Sequence, residues 1–236
     1  MASMSFVPSV TKRMHNYNIC DITPFTLQDF PDTIACIIWF SGCNMLCSYC
    51  HNLDLVYESE KNLSMDEVLN FLKTREKKLE GVVFCGGEPT LYPNILELSQ
   101  RIKSMGFKIK LDTNGSKPEV IHKLLQYLDF VALDFKSTEL KFLEITHSKL
   151  YSKFEESLDL LLSSSVDFEV RTTYHSELLS YENINEMIDF LEKKEYKNRY
   201  FIQPYMAQQR FIKELPKSLG FDTSKIKLST LNIAIR

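Results

Sequence analysis

The stretch Thr33–Asn52, TIACIIWFSGCNMLCSYCHN, changes character at one point. Ile34–Phe40 is a run of seven apolar residues, and Ser41-Gly42 then opens a loop carrying three cysteines. A short apolar run bounded by turn residues reads as a buried strand that ends in a loop. The same change recurs down the chain. Gly81–Phe84 leads to Gly86-Gly87-Glu88-Pro89, Phe107–Leu111 to Asp112-Thr113-Asn114-Gly115, and Phe130–Leu133 to Asp134-Phe135-Lys136. Phe168–Thr172 contains Arg171 near its end and runs into Thr173, and Tyr200–Gln203 runs into Pro204-Tyr205. Between these runs lie amphipathic stretches, Ser64–Arg75, Asn94–Met105, Lys117–Leu128, Tyr151–Ser163 and Asn183–Lys194, that read as helices. Ser64 and Glu67 have the spacing of a capping box, and Pro118 suits a first helical turn.

Strands alternating with helices predict an α/β fold with a mostly parallel sheet. A complete eight-fold barrel needs about 250 residues, and part of this 236-residue chain precedes the first unit. The expectation is a partial (β/α)6, TIM-like barrel with an N-terminal extension. Tyr17–Ile22 and Leu228–Ile235 read as additional strands. Residues 1–15 read as an extension, disordered or not native, and 16–236 as one domain.

Composition narrows the classes. With 28 basic and 31 acidic side chains the net charge is −3, which gives no support to nucleic-acid binding. The longest apolar run is far short of the roughly 20 residues of a membrane helix, and MASMSFVPSVTKRM has no signal-peptide core. A cytoplasmic protein without membrane partner is expected. Its six cysteines then read as thiols or metal ligands before disulfides.

All six polar constellations follow predicted strands, so a barrel would gather them on its C-terminal rim. Cys43, Cys47 and Cys50, spaced C-x3-C-x2-C, can converge on one metal centre. Three thiolates on a four-iron cluster leave one iron open to a substrate or cofactor. Cys47–His51 also spells the haem-attachment motif, which leaves Cys43 unused. Zinc would need a fourth ligand, and adjacent Cys50 and His51 rarely reach one tetrahedral ion together. The three could also be inert. Cys36 reads as core, Cys85 as packing beside Gly86, and His175 stands out for its rim position. Gly86 and Gly87 allow close backbone approach, and Glu88 suits an ammonium group. The bland readings are a tight turn at Gly86-Gly87, a plain turn at Asn114-Gly115 and a surface ion pair for Asp134 and Lys136.

These motifs together resemble the radical S-adenosylmethionine (radical SAM) enzymes, marked by C-x3-C-x2-C followed by GGE. ITPFTLQDFP (22–31), FSGC (40–43), YCHN (49–52), LDTNG (111–115) and VALDFK (131–136) are similar to the branch that activates glycyl-radical enzymes, and within it to activators of anaerobic ribonucleoside-triphosphate reductase. The resemblance implies a [4Fe–4S] cluster on Cys43, Cys47 and Cys50, with SAM chelating the open iron. It implies that Gly86, Gly87 and Glu88 meet the SAM amino group, that Tyr49 and His51 read the adenine, and that Asp134 and Lys136 lie along its ribose and carboxylate side, with Arg171 as a further contact. Cluster and SAM would carry the chemistry, with no catalytic side chain. A glycine of the partner enzyme would become a radical, with a flavodoxin- or ferredoxin-type reductant supplying the electron. Asp112 and Asp134 end neighbouring strands, and close carboxylates repel unless protonated or bridged. A Na+ or K+ is therefore expected on Asp112, Asp134 and the carbonyls of Thr113 and Ala132, as in similar activating enzymes. One departure stands out: activators of pyruvate formate-lyase carry a histidine shortly after a Pro-Tyr, and here Met206 follows Pro204-Tyr205. The alternatives are a radical SAM enzyme acting on a small molecule or peptide, such as 7-carboxy-7-deazaguanine synthase, and a non-enzymatic iron–sulfur or metal-binding protein. The aromatic lead Asp21–Pro31 and the basic tail 204–236 suggest contacts with a protein substrate; a solvated face is the plainer reading of the tail.

Overall fold

The computed structural model describes residues 17–50, 53–56, 62–206 and 215–236. Its strands are β1 (Ile19–Thr26), β2 (Ala35–Phe40), β3 (Gly81–Gly86), β4 (Lys108–Thr113), β5 (Phe130–Asp134), β6 (Asp167–Tyr174), β7 (Arg199–Pro204) and β8 (Asn232–Ile235). The helices are α1 (Leu53–Val56), α2 (Met65–Lys73), α3 (Ile95–Ser104), α4 (Pro118–Leu124), α5 (Glu139–Thr146), α6 (Tyr151–Leu162) and α7 (Tyr181–Lys193).

One eight-stranded sheet runs in sequence order from β1 to β8. The β1–β2 pair is antiparallel and the pairs from β2 to β8 are parallel. Sequential order, without a reversal, is the winding of a barrel rather than of a doubly wound sheet. β1 and β8 form the two ends of this order, so the barrel is partial. Arg236 Nη2 donates to the carbonyl of Gln28 at 2.8 Å, linking the end of β8 to the turn after β1. The six expected strand units are β2–β7, and both additional strands form.

The strands alternate between two faces. Ile38, Phe84, Leu111, Val131 and Val170 belong to a large apolar core with the buried stripes of the helices. The opposite face holds a small apolar cluster of Phe30, Ala35, Ile37 and Val83. Further along, that same face carries charge: Lys110, Asp112, Asp134, Glu169 and Arg171. Ser64 caps α2 as its spacing predicts, with Ser64 Oγ accepting from Glu67 N–H and the Glu67 carboxylate accepting from Ser64 N–H.

α5 was not foreseen. In Glu139–Thr146 only Phe142, Ile145 and Thr146 are buried, while Leu140 and Leu143 are exposed, so its apolar residues make no single stripe. The basic tail also differs from expectation. Lys227 pairs with Asp189 and Glu192, and Arg236 with Glu169, so these charges are answered by acidic groups of the barrel. Arg210, Lys213 and Glu214 of that tail, and the proposed extension 1–15, lie outside the described residues. Among the described residues no helix is long and apolar enough to cross a membrane.

Candidate functional site

The cysteine loop is held by backbone hydrogen bonds from the end of α5 and from the exit of β3. Leu46 N–H and Ser48 N–H donate to the carbonyls of Thr146 and Ile145, both at 2.9 Å, so the loop satisfies the exposed C-terminal carbonyls of α5. From β3, Gly87 N–H donates to Phe40 O at 2.8 Å and Glu88 N–H to Gly42 O at 2.9 Å. A Cβ on Gly87 would fall 2.1 Å from Gly42 O, and one on Gly86 2.3 Å from Phe40 O. These two glycines let the exit of β3 lie against the exit of β2; the close approach they permit is first of all to the cysteine loop.

Glu88 corrects an expectation. It is 1% exposed and does not line the cavity described below. Its Oε1 accepts from Thr90 N–H at 3.1 Å, Thr90 Oγ1 at 2.5 Å and Thr113 Oγ1 at 2.8 Å, and its Oε2 accepts from Asn114 N–H at 2.8 Å. Burial raises its pKa even so. Both oxygens are used in tying the β3 exit to the β4 exit, and the carboxylate does not line the cavity.

A cavity of about 250 Å³ opens at the C-terminal ends of the parallel strands. The cysteine loop contributes Cys43, Cys47, Tyr49 and Cys50, and β3 contributes Cys85, Gly86 and Gly87. Asp112, Thr113 and Asn114 come from the β4 end, Asp134 and Lys136 from β5, Arg171 and Thr173 from β6, and Gln203 from β7. Ala132 lies below the rim and does not line it, and His51 lies outside the described residues. His175 packs beside the site: it is buried, its ring centroid is 4.9 Å from that of Tyr205, and its Nδ1 accepts from Glu177 N–H. Met206 is exposed. Cys85, expected as packing, faces the cavity.

The cavity floor is an ionic network. Arg171 bridges both aspartates, with Nη1 at 3.1 Å from Asp112 and Nη2 at 2.9 Å from Asp134. Lys110, nearly inaccessible, pairs with Asp112 at 2.6 Å, and Lys136 pairs with Asp134 at 2.9 Å. Burial alone would raise both carboxyls, but Arg171, joined by Lys110 at Asp112 and by Lys136 at Asp134, holds them below the usual carboxylate range. The repulsion behind the expected Na+ or K+ on Asp112, Asp134 and the carbonyls of Thr113 and Ala132 is relieved here by Arg171. The bridge between the carboxylates is Arg171. Lys110 lies beneath the cavity, whereas Lys136 and Arg171 line it beside the two aspartates and present cationic groups suited to an anionic ligand group.

Cys43, Cys47 and Cys50 form no disulfide among the described residues. Burial raises the pKa of Cys43 and pushes that of Cys47 up to about 11, so a metal must displace protons to bind there. Among the described residues no three His, Cys, Asp or Glu side chains are close enough to hold a single metal ion. Three thiols around one cavity fit a cluster of several irons, where each iron takes its own thiolate. The Tyr49 hydroxyl is buried without a hydrogen-bond partner among the described residues, as fits a cavity completed by a polar ligand.

Lys110 and Asn44 were not singled out from the sequence, whereas Asn114 and Gln203 belong to the motifs expected on the rim. For Lys110 a signal existed: Lys108, Lys110 and Asp112 recur with period two in a strand, the mark of a charged inner face.

Comparison with known proteins agrees with this geometry. A sequence profile described as the Radical SAM superfamily matches residues 37–193. A protein of Methanocaldococcus jannaschii, assigned by name only as a glycyl-radical enzyme activating enzyme, is 28% identical over 233 residues, covering 91% of this chain and 96% of its own. A pyruvate formate-lyase-activating enzyme of Clostridium pasteurianum is 27% identical, covering 79% and 81%. A 7-carboxy-7-deazaguanine synthase of Haemophilus influenzae is 32% identical but covers only 42% of each chain. Streptococcus suis SuiB bound to S-adenosylmethionine shares the fold with a TM-score of 0.62 at 18% identity, covering 82% of this chain and 48% of SuiB. The chain thus spans about half the length of that solved structure.

Proposed function

The chain belongs to the radical SAM superfamily of enzymes, and on that premise we propose that it activates a glycyl-radical enzyme, specifically an anaerobic ribonucleoside-triphosphate reductase. The carrying observation is that three cysteine thiols line the same cavity as the Lys136 ammonium and the Arg171 guanidinium. Cys43, Cys47 and Cys50 would hold a [4Fe–4S] cluster. Lys136 and Arg171 would meet the carboxylate of SAM, the backbone at Gly86 and Gly87 its amino group, and Tyr49 its adenine side. When bound, cluster and SAM supply one-electron reductive cleavage of SAM, which draws a hydrogen atom from a substrate carbon. The chain's own task is to hold both in one geometry and keep water out of a buried, charged site. Glu88 acts at one remove, by fixing the β3 and β4 exits.

A protein substrate is supported by the relatives that match along most of their length, both named as activating enzymes. The synthase match covers under half of each chain. Phe25 and Leu27, on the lead segment, are 54% and 65% exposed and offer an apolar contact. The reductase is preferred to pyruvate formate-lyase because Met206 follows Pro204-Tyr205 where activators of pyruvate formate-lyase carry a histidine. A flavodoxin- or ferredoxin-type protein would supply the electron.

Anaerobic reconstitution with iron and sulfide tests the site. About four irons and four sulfides per chain are expected, with SAM cleaved on reduction. Cys43→Ala, Cys47→Ala or Cys50→Ala should abolish cleavage, whereas Cys36→Ala should keep it. Full cluster loading in Cys47→Ala would refute the ligand assignment.

A further inference from the structure

The sulfur of Cys43 is met by two N–H donors. Met45 N–H approaches Sγ at 3.4 Å, and the side-chain amide of Asn114, from the β4 exit, approaches at 3.8 Å through Nδ2. The Asn114 amide is held in one orientation. Its Oδ1 accepts from Ser116 N–H at 2.9 Å, and a backbone N–H can only donate, so the opposite end must be the NH2. That NH2 also donates to Asn44 Oδ1 at 3.1 Å, and the Asn44 NH2 donates to Ser116 Oγ at 2.8 Å. Asn114 is 5% exposed. A closed set of side-chain bonds thus aims a buried donor at one of three cysteine sulfurs.

We propose that Asn114 is a positioning residue that sets the reduction potential of the cluster by donating a hydrogen bond to the Cys43 sulfur. The inference rests on the reading of Cys43, Cys47 and Cys50 as cluster ligands. An added electron makes ligand sulfur more negative. A donor aimed at that sulfur therefore stabilises the reduced form more than the oxidised one and raises the potential. Without it the cluster is harder to reduce.

The test is a redox titration of the reconstituted protein, followed by the electron paramagnetic resonance (EPR) signal of the reduced cluster. Asn114→Ala removes the donor. Asn114→Asp keeps an acceptor for Ser116 N–H but places a negative charge beside the sulfur. Both should load iron and sulfide as the parent does. Asn114→Ala should disfavour reduction by roughly tenfold, a shift of about 59 mV to more negative potential for one electron, and Asn114→Asp by more. Asn44→Ala leaves the Asn114 amide in place but removes one of its tethers. It should shift the potential in the same direction by less, and it decides the matter if the Asn114 variants do not load. An unchanged potential in the loaded variants, or a positive shift in Asn114→Asp, overturns the proposal. Failure of the parent chain to assemble a cluster would instead remove the cysteine assignment, and this inference with it.

Discussion

Arg171 is the residue on which the charge of the site turns. Among the described residues it is the one that pairs with both Asp112 and Asp134, and all three are largely buried. Replacing it with methionine leaves the two carboxylates with only their lysine partners, and losing one partner of a buried pair costs about 3–5 kcal/mol. In the parent, both aspartates are held below the usual carboxylate range, so their contribution is present at neutral pH and lost as pH falls through those depressed values. In Arg171→Met that pull is gone, and the carboxyls protonate at higher pH. Urea melts should therefore show the destabilisation largest near pH 7 and shrinking below about pH 5. An equal loss at both pH values would contradict this. The sequence marked Asp112, Asp134, Lys136 and Arg171 as rim residues and offered an Asp134–Lys136 ion pair, but not the bridge that Arg171 makes. Strand neighbours can be ordered from a sequence, whereas the reach of Arg171 across β5 to Asp112 is a tertiary fact. Glu88 shows the same limit: its carboxylate and the glycines before it were legible as a site, but not the direction in which the side chain turns.

At the scale of elements, the join between β2 and β3 holds the cysteine loop in place. A methyl group at residue 87 would collide with backbone, which cannot swing aside as a side chain can. Gly87→Ala should cost about 3 kcal/mol by overpacking, or roughly 10 °C in Tm for a chain of this size, and should lose iron from the loop. Gly220→Ala is the control: a Cβ there meets nothing within 4 Å, and both properties should stay at the parent's values. Equal effects of the two substitutions on Tm and iron content would refute the role given to Gly87. The strands were readable because each joins β-branched or aromatic residues to an abrupt polar stop, and α2 because Ser64 and Glu67 cap an apolar stripe. α5 was hidden because Leu140 and Leu143 point outward, although its last carbonyls help to fix the cysteine loop.

For the molecule as a whole, winding the strands in sequence order places the cysteine loop, the glycine turn and the ionic network around one rim, while α2–α7 supply apolar surface for the core. Two basic residues of the C-terminal segment, Lys227 and Arg236, are paired with acids of α7 and β6. Recognition of a partner is therefore assigned to the exposed apolar lead, Phe25 and Leu27, more than to a basic tail. Under the proposed function, the hydrogen removed belongs to a glycine of another enzyme. The most direct measurement incubates the reduced, reconstituted protein with SAM and the anaerobic ribonucleotide reductase of the same organism, then records the EPR spectrum. The predicted result is the doublet of a glycyl radical on the reductase, dependent on SAM and absent with Cys43→Ala, Cys47→Ala or Cys50→Ala. SAM cleavage without any glycyl radical, with that reductase present, would contradict the claim and point to a small-molecule or peptide substrate.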